Sequence, residues 1–195
     1  MTRPFAYSPV RTVAPAVTPV TLAEAKAHLR VDHTDDDSLI GVLIEAATGH
    51  LDGWSGVLGR ALVTQTWSQA FDAFADPLRL PMLAKTVASV TYVNQAGATI
   101  TVSSADYVLA ADALGSFVEC AYGVTWSSPR DQTRAVTVTF TAGEAAASVP
   151  SAIKAGILLM VGDLYANREG VVTGTITAIN PTVSALIAPY RRVGV

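Results

Sequence analysis

Apolar residues recur along this chain in two rhythms, and the change of rhythm divides it. From Ser148 to Glu169, in SVPSAIKAGILLMVGDLYANRE, residues Ile153, Ile157, Met160, Val161, Leu164 and Tyr165 return at steps of three and four. That spacing places them on one face of a helix. Leu158 and Leu159 widen the face until the middle of the helix is apolar nearly all round, so the pattern predicts burial against more than one neighbour. Pro150 suits the first turn, since its φ is fixed and it has no N–H to leave unpaired. Gly170 stands where a helix C-terminus ends.

The same period appears twice near the N-terminus and once near the C-terminus. Thr21 opens T-L-A-E, a capping box with Glu24 reaching back, and predicts a helix to about Val31 with Leu22, Ala25 and Leu29 inward. Thr34 is expected to cap a second helix, with Asp35, Asp36 and Asp37 in the first turn, where the helix dipole favours negative charge. This helix is expected to run from Asp35 to Leu51 or Trp54. Leu39, Leu43, Ala47 and Leu51 form an i+4 row, Ile40 and Ala46 stand beside it, and Gly53, Gly56 and Gly59 break it. Asn180 and Pro181 signal a last helix start. It carries Val183, Leu186, Ile187 and Tyr190 on one face until Pro189 ends or kinks it.

Between Arg60 and Gly143 the period is two. In ALVTQTWSQAF, Val63, Gln65, Trp67 and Gln69 alternate with Leu62, Thr64, Thr66 and Ser68. TVASVTYVNQAGATITV reads as a hairpin turning at Asn94–Gly97, with Val90, Tyr92 and Ile100 on its strands, and DYVLAADALGSFVECAY as one turning near Asp112–Gly115. RAVTVTFTAG sets Val136, Val138 and Phe140 against Thr137, Thr139 and Thr141. About five or six strands without an intervening helix predict an antiparallel sheet or small barrel. VVTGTITAI, after the long helix, is rich in β-branched residues.

The fold class expected is therefore α+β. Four helices, two N-terminal and two C-terminal, form a core, with an antiparallel β insertion between helices 2 and 3. The expected division is an extended, irregular N-terminal arm at 1–20, a helical core from 21–58 and 148–195, and the β insertion at 59–147. Prolines 4, 9, 15 and 19 keep the arm extended.

Composition narrows the chemistry. Half of the 195 residues are hydrophobic and only 15% are charged, against about 25% in typical domains. Such a surface suits a subunit that buries much of itself in an assembly, although a Thr/Ser-rich β surface gives the same figure. A net charge of −3 provides no global basic field for nucleic acid or anionic membrane. The uncharged run between Lys154 and Asp163 is eight residues, far short of the roughly 20 needed to span a bilayer, so a soluble chain is expected. The N-terminal stretch lacks the apolar core of a signal peptide. The single cysteine, Cys120, excludes an internal disulfide and fits a reducing compartment; it reads as a structural thiol. The run Asp32, Asp35, Asp36, Asp37 lacks the glycine and distal glutamate of a calcium loop, and helix capping accounts for it. His28 and His50 read as helix-surface residues. No nucleophile elbow, phosphate-binding loop, paired-cysteine or zinc motif occurs. No enzyme, metal or cofactor is expected.

The order of segments resembles a known family. P-V-T-L-A-E-A-K-A-H-L-R-V-D at 19–32, followed by D-D-D-S-L-I and an aliphatic helix, is similar to the N-terminal signature of phage head–tail connector (adaptor) proteins. The segment at 149–169 resembles their third helix, with its L-Y-x-N-R-E ending, and A-L-I-A-P-Y-R-R at 185–192 resembles their C-terminal segment. The β block preceded by L-P-M-L, where relatives often read L-P-R-P-P-L, has its counterpart in the long-insert branch, also found in gene transfer agents. Met82 departs from the usual proline or arginine. The resemblance spans about residues 19–192.

That resemblance implies a structural role in a virion or gene-transfer-agent neck, after synthesis in a bacterial cytoplasm. Subunits would form a homo-oligomeric ring, usually of twelve, beneath the portal protein. The ring would carry a stopper or tail-terminator protein and let DNA pass without sequence-specific binding. Portal contact is expected at Leu186, Tyr190, Arg191 and Arg192, an aromatic and two arginines at a chain end being common anchors; the arginines would equally complement a helix C-terminus. Subunit contacts are expected at Tyr165, Arg168 and Glu169, where an Arg168–Glu169 ion pair would lie within or between chains. A stopper or tail-completion protein is the nearest alternative. A carbohydrate- or ligand-binding module on a helical stem is another, with Trp67, Tyr92, Tyr107 and Trp126 as its aromatics.

Overall fold

The computed structural model describes residues 6–167 and 181–192. Its elements run β1 (Val10–Val13), α1 (Leu22–Leu29), α2 (Asp37–Leu51), β2 (Gln65–Phe71), β3 (Leu78–Arg79), β4 (Ala84–Val93), β5 (Thr99–Thr101), β6 (Tyr107–Asp112), β7 (Gly115–Cys120), β8 (Val136–Ala142), α3 (Ser151–Ala166) and α4 (Pro181–Ile187). The chain is α+β, with four helices and antiparallel sheets among the described residues. Two compact units result. Of the described residues, one gathers 6–16 with Thr64–Gly143, and the other gathers Val17–Val63 with 144–167 and 181–192.

In the helical unit, α3 touches α1, α2 and α4, which is why its sequence is apolar on more than one side. Ile153, Gly156, Ile157 and Val161 are its buried positions. The three aliphatic ones join Ile40, Ile44, Ala47 and Leu51 of α2, Ala25 of α1, and Val183 and Ile187 of α4 in one core. The capping box at α1 is complete: the Thr21 side chain accepts from the Glu24 N–H at 3.1 Å, and a Glu24 carboxylate oxygen accepts from the Thr21 N–H at 2.7 Å. The Thr21 bonds in turn hold the Glu24 carboxyl below its ordinary pKa. Thr21→Ala is expected to cost about 1 kcal/mol, measured as a shift in urea midpoint at unchanged slope.

Several local expectations shift. α2 begins at Asp37 with Asp36 as its N-cap, two residues later than the sequence suggests, because Thr34 spends its carbonyl on the Asp37 N–H at 3.2 Å. Its buried row runs through Ile40 and Ile44, with Leu39 and Leu43 at the margin and Ala46 exposed. Leu22 is on the surface. The N-terminal arm is not wholly irregular: Val10–Val13 pair antiparallel with β2. The VVTGTITAI segment and the Asn180 cap lie outside the described residues.

The strand unit holds a five-stranded sheet, order β1-β2-β8-β4-β5, and a three-stranded sheet, order β3-β7-β6. Both anticipated hairpins form, one between β4 and β5 and one between β6 and β7. Alternation holds along β2 and β8, where Gln65, Trp67, Gln69 and Phe71 face inward with Val136, Val138, Phe140 and Ala142. The buried Gln69 amide donates to the Tyr7 carbonyl, and the Tyr7 hydroxyl donates to Asp72 at 2.7 Å, which ties the arm down.

The β6–β7 turn is locked by a two-pronged ion pair. Arg79 donates to both Asp112 carboxylate oxygens, at 2.8 and 2.6 Å, while its guanidinium lies 5.1 Å from the centre of the Phe117 ring. The Asp112 carboxylate also accepts from the Leu114 N–H at 2.9 Å. Arg79 foremost, then the backbone N–H groups of Leu114 and Gly115, hold the Asp112 pKa down from 3.8 to about 2. A depressed carboxyl stabilises the fold above its unfolded pKa and loses that contribution as pH falls through the folded one. The contribution should therefore fade between about pH 4 and 2. Carboxyl NMR should show Asp112 titrating near 2, and Arg79→Gln should move it up toward the ordinary range.

Candidate functional site

The C-terminal segment is placed by helix packing and by one backbone bond. α4 lies against α3 at Gly156, where a Cβ would come within 3.2 Å of Ile187 Cγ2 and 3.8 Å of Val183 Cγ1. A glycine there lets the two helices approach closely. Pro189 then tightens Ala188–Tyr190 into a 3₁₀ turn, and Arg191 leaves it extended. The Arg192 N–H donates to the Leu58 carbonyl at 3.0 Å, and its Cβ sits against Gly59, whose φ is +60°.

Leu58 is an acceptor of fixed position because its loop is closed on itself. The Gly53 N–H bonds the Arg60 carbonyl at 2.9 Å, the Val57 N–H bonds His50 at 2.9 Å, and the Leu58 side chain is fully buried. Asp52 turns its carboxylate to the Leu62 N–H at 2.7 Å. Gly56 has no room for a side chain, since a Cβ would stand 2.3 Å from the Asp52 carbonyl.

The four expected portal-contact residues thus divide. Arg191 is exposed, Leu186 is half-buried, and Tyr190 packs on the helical core. Arg192 is half-buried, and loss of water lowers its pKa below the ordinary arginine value. Of the expected subunit contacts, Arg168 and Glu169 lie outside the described residues. Tyr165 donates its hydroxyl to Asp36, joining the end of α3 to the start of α2. The anchoring roles of Gly156, Leu58 and Asp36 were not singled out from sequence; the glycine inside an otherwise apolar helix was the available signal.

Trp67 belongs to the core at 6% exposure. Phe74 stacks on Trp126 with centroids 4.5 Å apart and meets Tyr92 edge-on at 5.6 Å, so these rings are occupied with one another. Burial, with Asp76 adding to it, pushes the Cys120 thiol up, away from the thiolate a nucleophile needs. Among the described residues no three His, Cys, Asp or Glu side chains are grouped to hold a metal ion, and no helix is long and apolar enough to cross a membrane.

The whole arrangement has counterparts. A chain from the virion of a native gene transfer agent particle is 24% identical, with a TM-score of 0.75 and 97% of each chain covered. A chain from the neck of an empty gene transfer agent particle, computed with C6 symmetry, is 25% identical, with a TM-score of 0.76 and the same coverage. A third, from a native particle's neck computed with C12 symmetry, is 22% identical at a TM-score of 0.71, again with 97% covered. No curated protein matches the chain. Residues 19–117, just over half of its length, match the family model for phage gp6-like head–tail connector proteins. They take in α1, α2, the strands from β2 to β6 and the first half of β7. The chain belongs to the phage gp6-like head–tail connector family.

Proposed function

We propose that the protein is a structural head–tail adaptor at the neck of a phage or gene-transfer-agent particle. Copies form a ring, of twelve by analogy with the C12 neck, that joins the portal to a stopper or tail protein and lets DNA pass. The observation that carries this reading is likeness over 97% of both chains to a neck protein at 25% identity, together with family membership. The adaptor role is non-enzymatic. The strands between α2 and α3 act as an insertion into a four-helix core, since residues on either side of them share one hydrophobic cluster. A net charge of −3 favours sliding of DNA over adhesion, because phosphate affinity depends on Lys and Arg.

Leu186, Tyr190, Arg191 and Arg192 form the portal anchor in this reading. Arg191 meets the partner directly, while Tyr190 and Arg192 fix the path of the chain. Tyr165, Arg168 and Glu169 serve contacts between subunits. The test is light scattering of the purified chain, alone and with a portal ring from the same source. Co-elution of many copies per portal, lost on truncation before Ser184, supports the reading. A chain that ignores the portal at every salt concentration overturns it.

A further inference from the structure

We propose that ring neighbours meet through the two ends of the helical unit, an inference that rests on the ring reading above. The Tyr165–Asp36 bond sets the end of α3 beside the start of α2, so these helices run antiparallel. Their opposite ends differ in charge. Asp32 and Asp35 are exposed where α2 begins, the Asp35 side chain at 90%, with Asp36 and the exposed Asp163 at the same end. Asp37 there is paired with Lys26 at 2.6 Å, and among the described residues Arg30 is the other Lys or Arg side chain at this end. At the other end stands Arg60, beside Arg191 and Arg192, which the reading above already engages on the portal; Asp52 there gives its carboxylate to the Leu62 amide, and Glu144 is half-buried. The 15 residues of α2 separate the ends by roughly 22 Å at about 1.5 Å per residue.

Each end also presents one large apolar side chain. Leu164 has the phase of Ile153, Ile157 and Val161 on α3, yet is 41% exposed. Trp54, in the loop that Gly53 and Arg60 close, is 46% exposed. A cyclic ring requires two different patches that fit each other, whereas a two-fold dimer sets each patch against itself. Opposite charge at the two ends favours the first and penalises the second, which would bring aspartates onto aspartates. The occupant of the Asp35–Leu164 end is therefore the Arg60–Trp54 end of a second copy.

Cross-linking tests this on the full chain, with Cys120→Ser as background and the portal ring present. A chain carrying both Trp54→Cys and Leu164→Cys should give, on oxidation, a ladder of covalent multimers extending to the ring. Either cysteine alone should leave single chains. Asp35→Lys and Arg60→Glu should each lower ring occupancy on the portal at least tenfold, and the two together should restore it. Rings that form without a ladder, or single-cysteine chains that dimerise, overturn the inference while leaving the adaptor reading intact. Failure of the unaltered chain to join the portal overturns both.

Discussion

Replacing Phe140 by alanine is expected to lower the unfolding free energy by about 3–5 kcal/mol, the range for removing a fully buried aromatic ring. Phe140 lies on β8, the middle strand of five, opposite Trp67 on β2 and Val87 on β4. It has no solvent exposure. Paired strands flank β8 on both sides along its length, so the sheet cannot close the void by moving an edge. Phe140→Leu keeps much of the volume and should cost less than half as much. Urea unfolding followed by tryptophan fluorescence reads both variants, because Trp67 sits in the adjoining position. A loss below 1 kcal/mol for alanine would contradict the placement of Phe140 at the centre of this core.

What could be read from the sequence was what local chemistry determines. The Thr21–Glu24 capping box is four residues of side-chain-to-backbone bonding and needs no distant partner. The turn at Asn94–Gly97 follows from an Asn side chain that accepts from the Ala96 and Ala98 amides and a glycine at φ +85°. Val136, Val138 and Phe140 alternate with threonines because one face of β8 is covered. Contacts set by distant pieces of chain were not legible. β1 is four residues whose side chains are all exposed, so no periodicity marks it; what makes it a strand is pairing with β2, more than fifty residues away. α2 offers two adjacent aliphatic rows, and α1 and α3 select the one through Ile40 and Ile44.

The candidate site divides in the same way. Tyr190, Arg191 and Arg192 drew attention by residue type at a chain end, and family resemblance gave them a role. That Arg192 hangs on Leu58, or that Tyr165 reaches Asp36 from 129 positions away, depends on how helices cross. No spacing rule encodes that. Leu164 shows the converse: its helical phase says core, and its exposure says that the core of a single chain ends before it.

Gly156→Leu is expected to remove the C-terminal segment from its seat and to abolish portal co-elution. Even a methyl group at Gly156 comes within 3.2 Å of Ile187; an isobutyl group has nowhere to go unless α4 moves. Overpacking that is retained costs about 1–3 kcal/mol. Relief by undocking forfeits the burial of Val183 and Ile187, each fully or nearly fully covered, at about 1.5–3 kcal/mol apiece. Four added carbons go well beyond the extra methylenes of that overpacking range, so undocking is the smaller cost here, and the loss should be about 3–6 kcal/mol and local. Amide exchange should accelerate over residues 183–190 while α2 stays protected, and the variant should behave on the portal like the chain truncated before Ser184. Gly156→Ala is the control. Its gain in helix propensity, about 1 kcal/mol, is offset by the close Ile187 contact, so stability should change little and portal binding should persist. If Gly156→Leu exposes 183–190 yet still co-elutes with the portal, the anchor lies elsewhere on the chain.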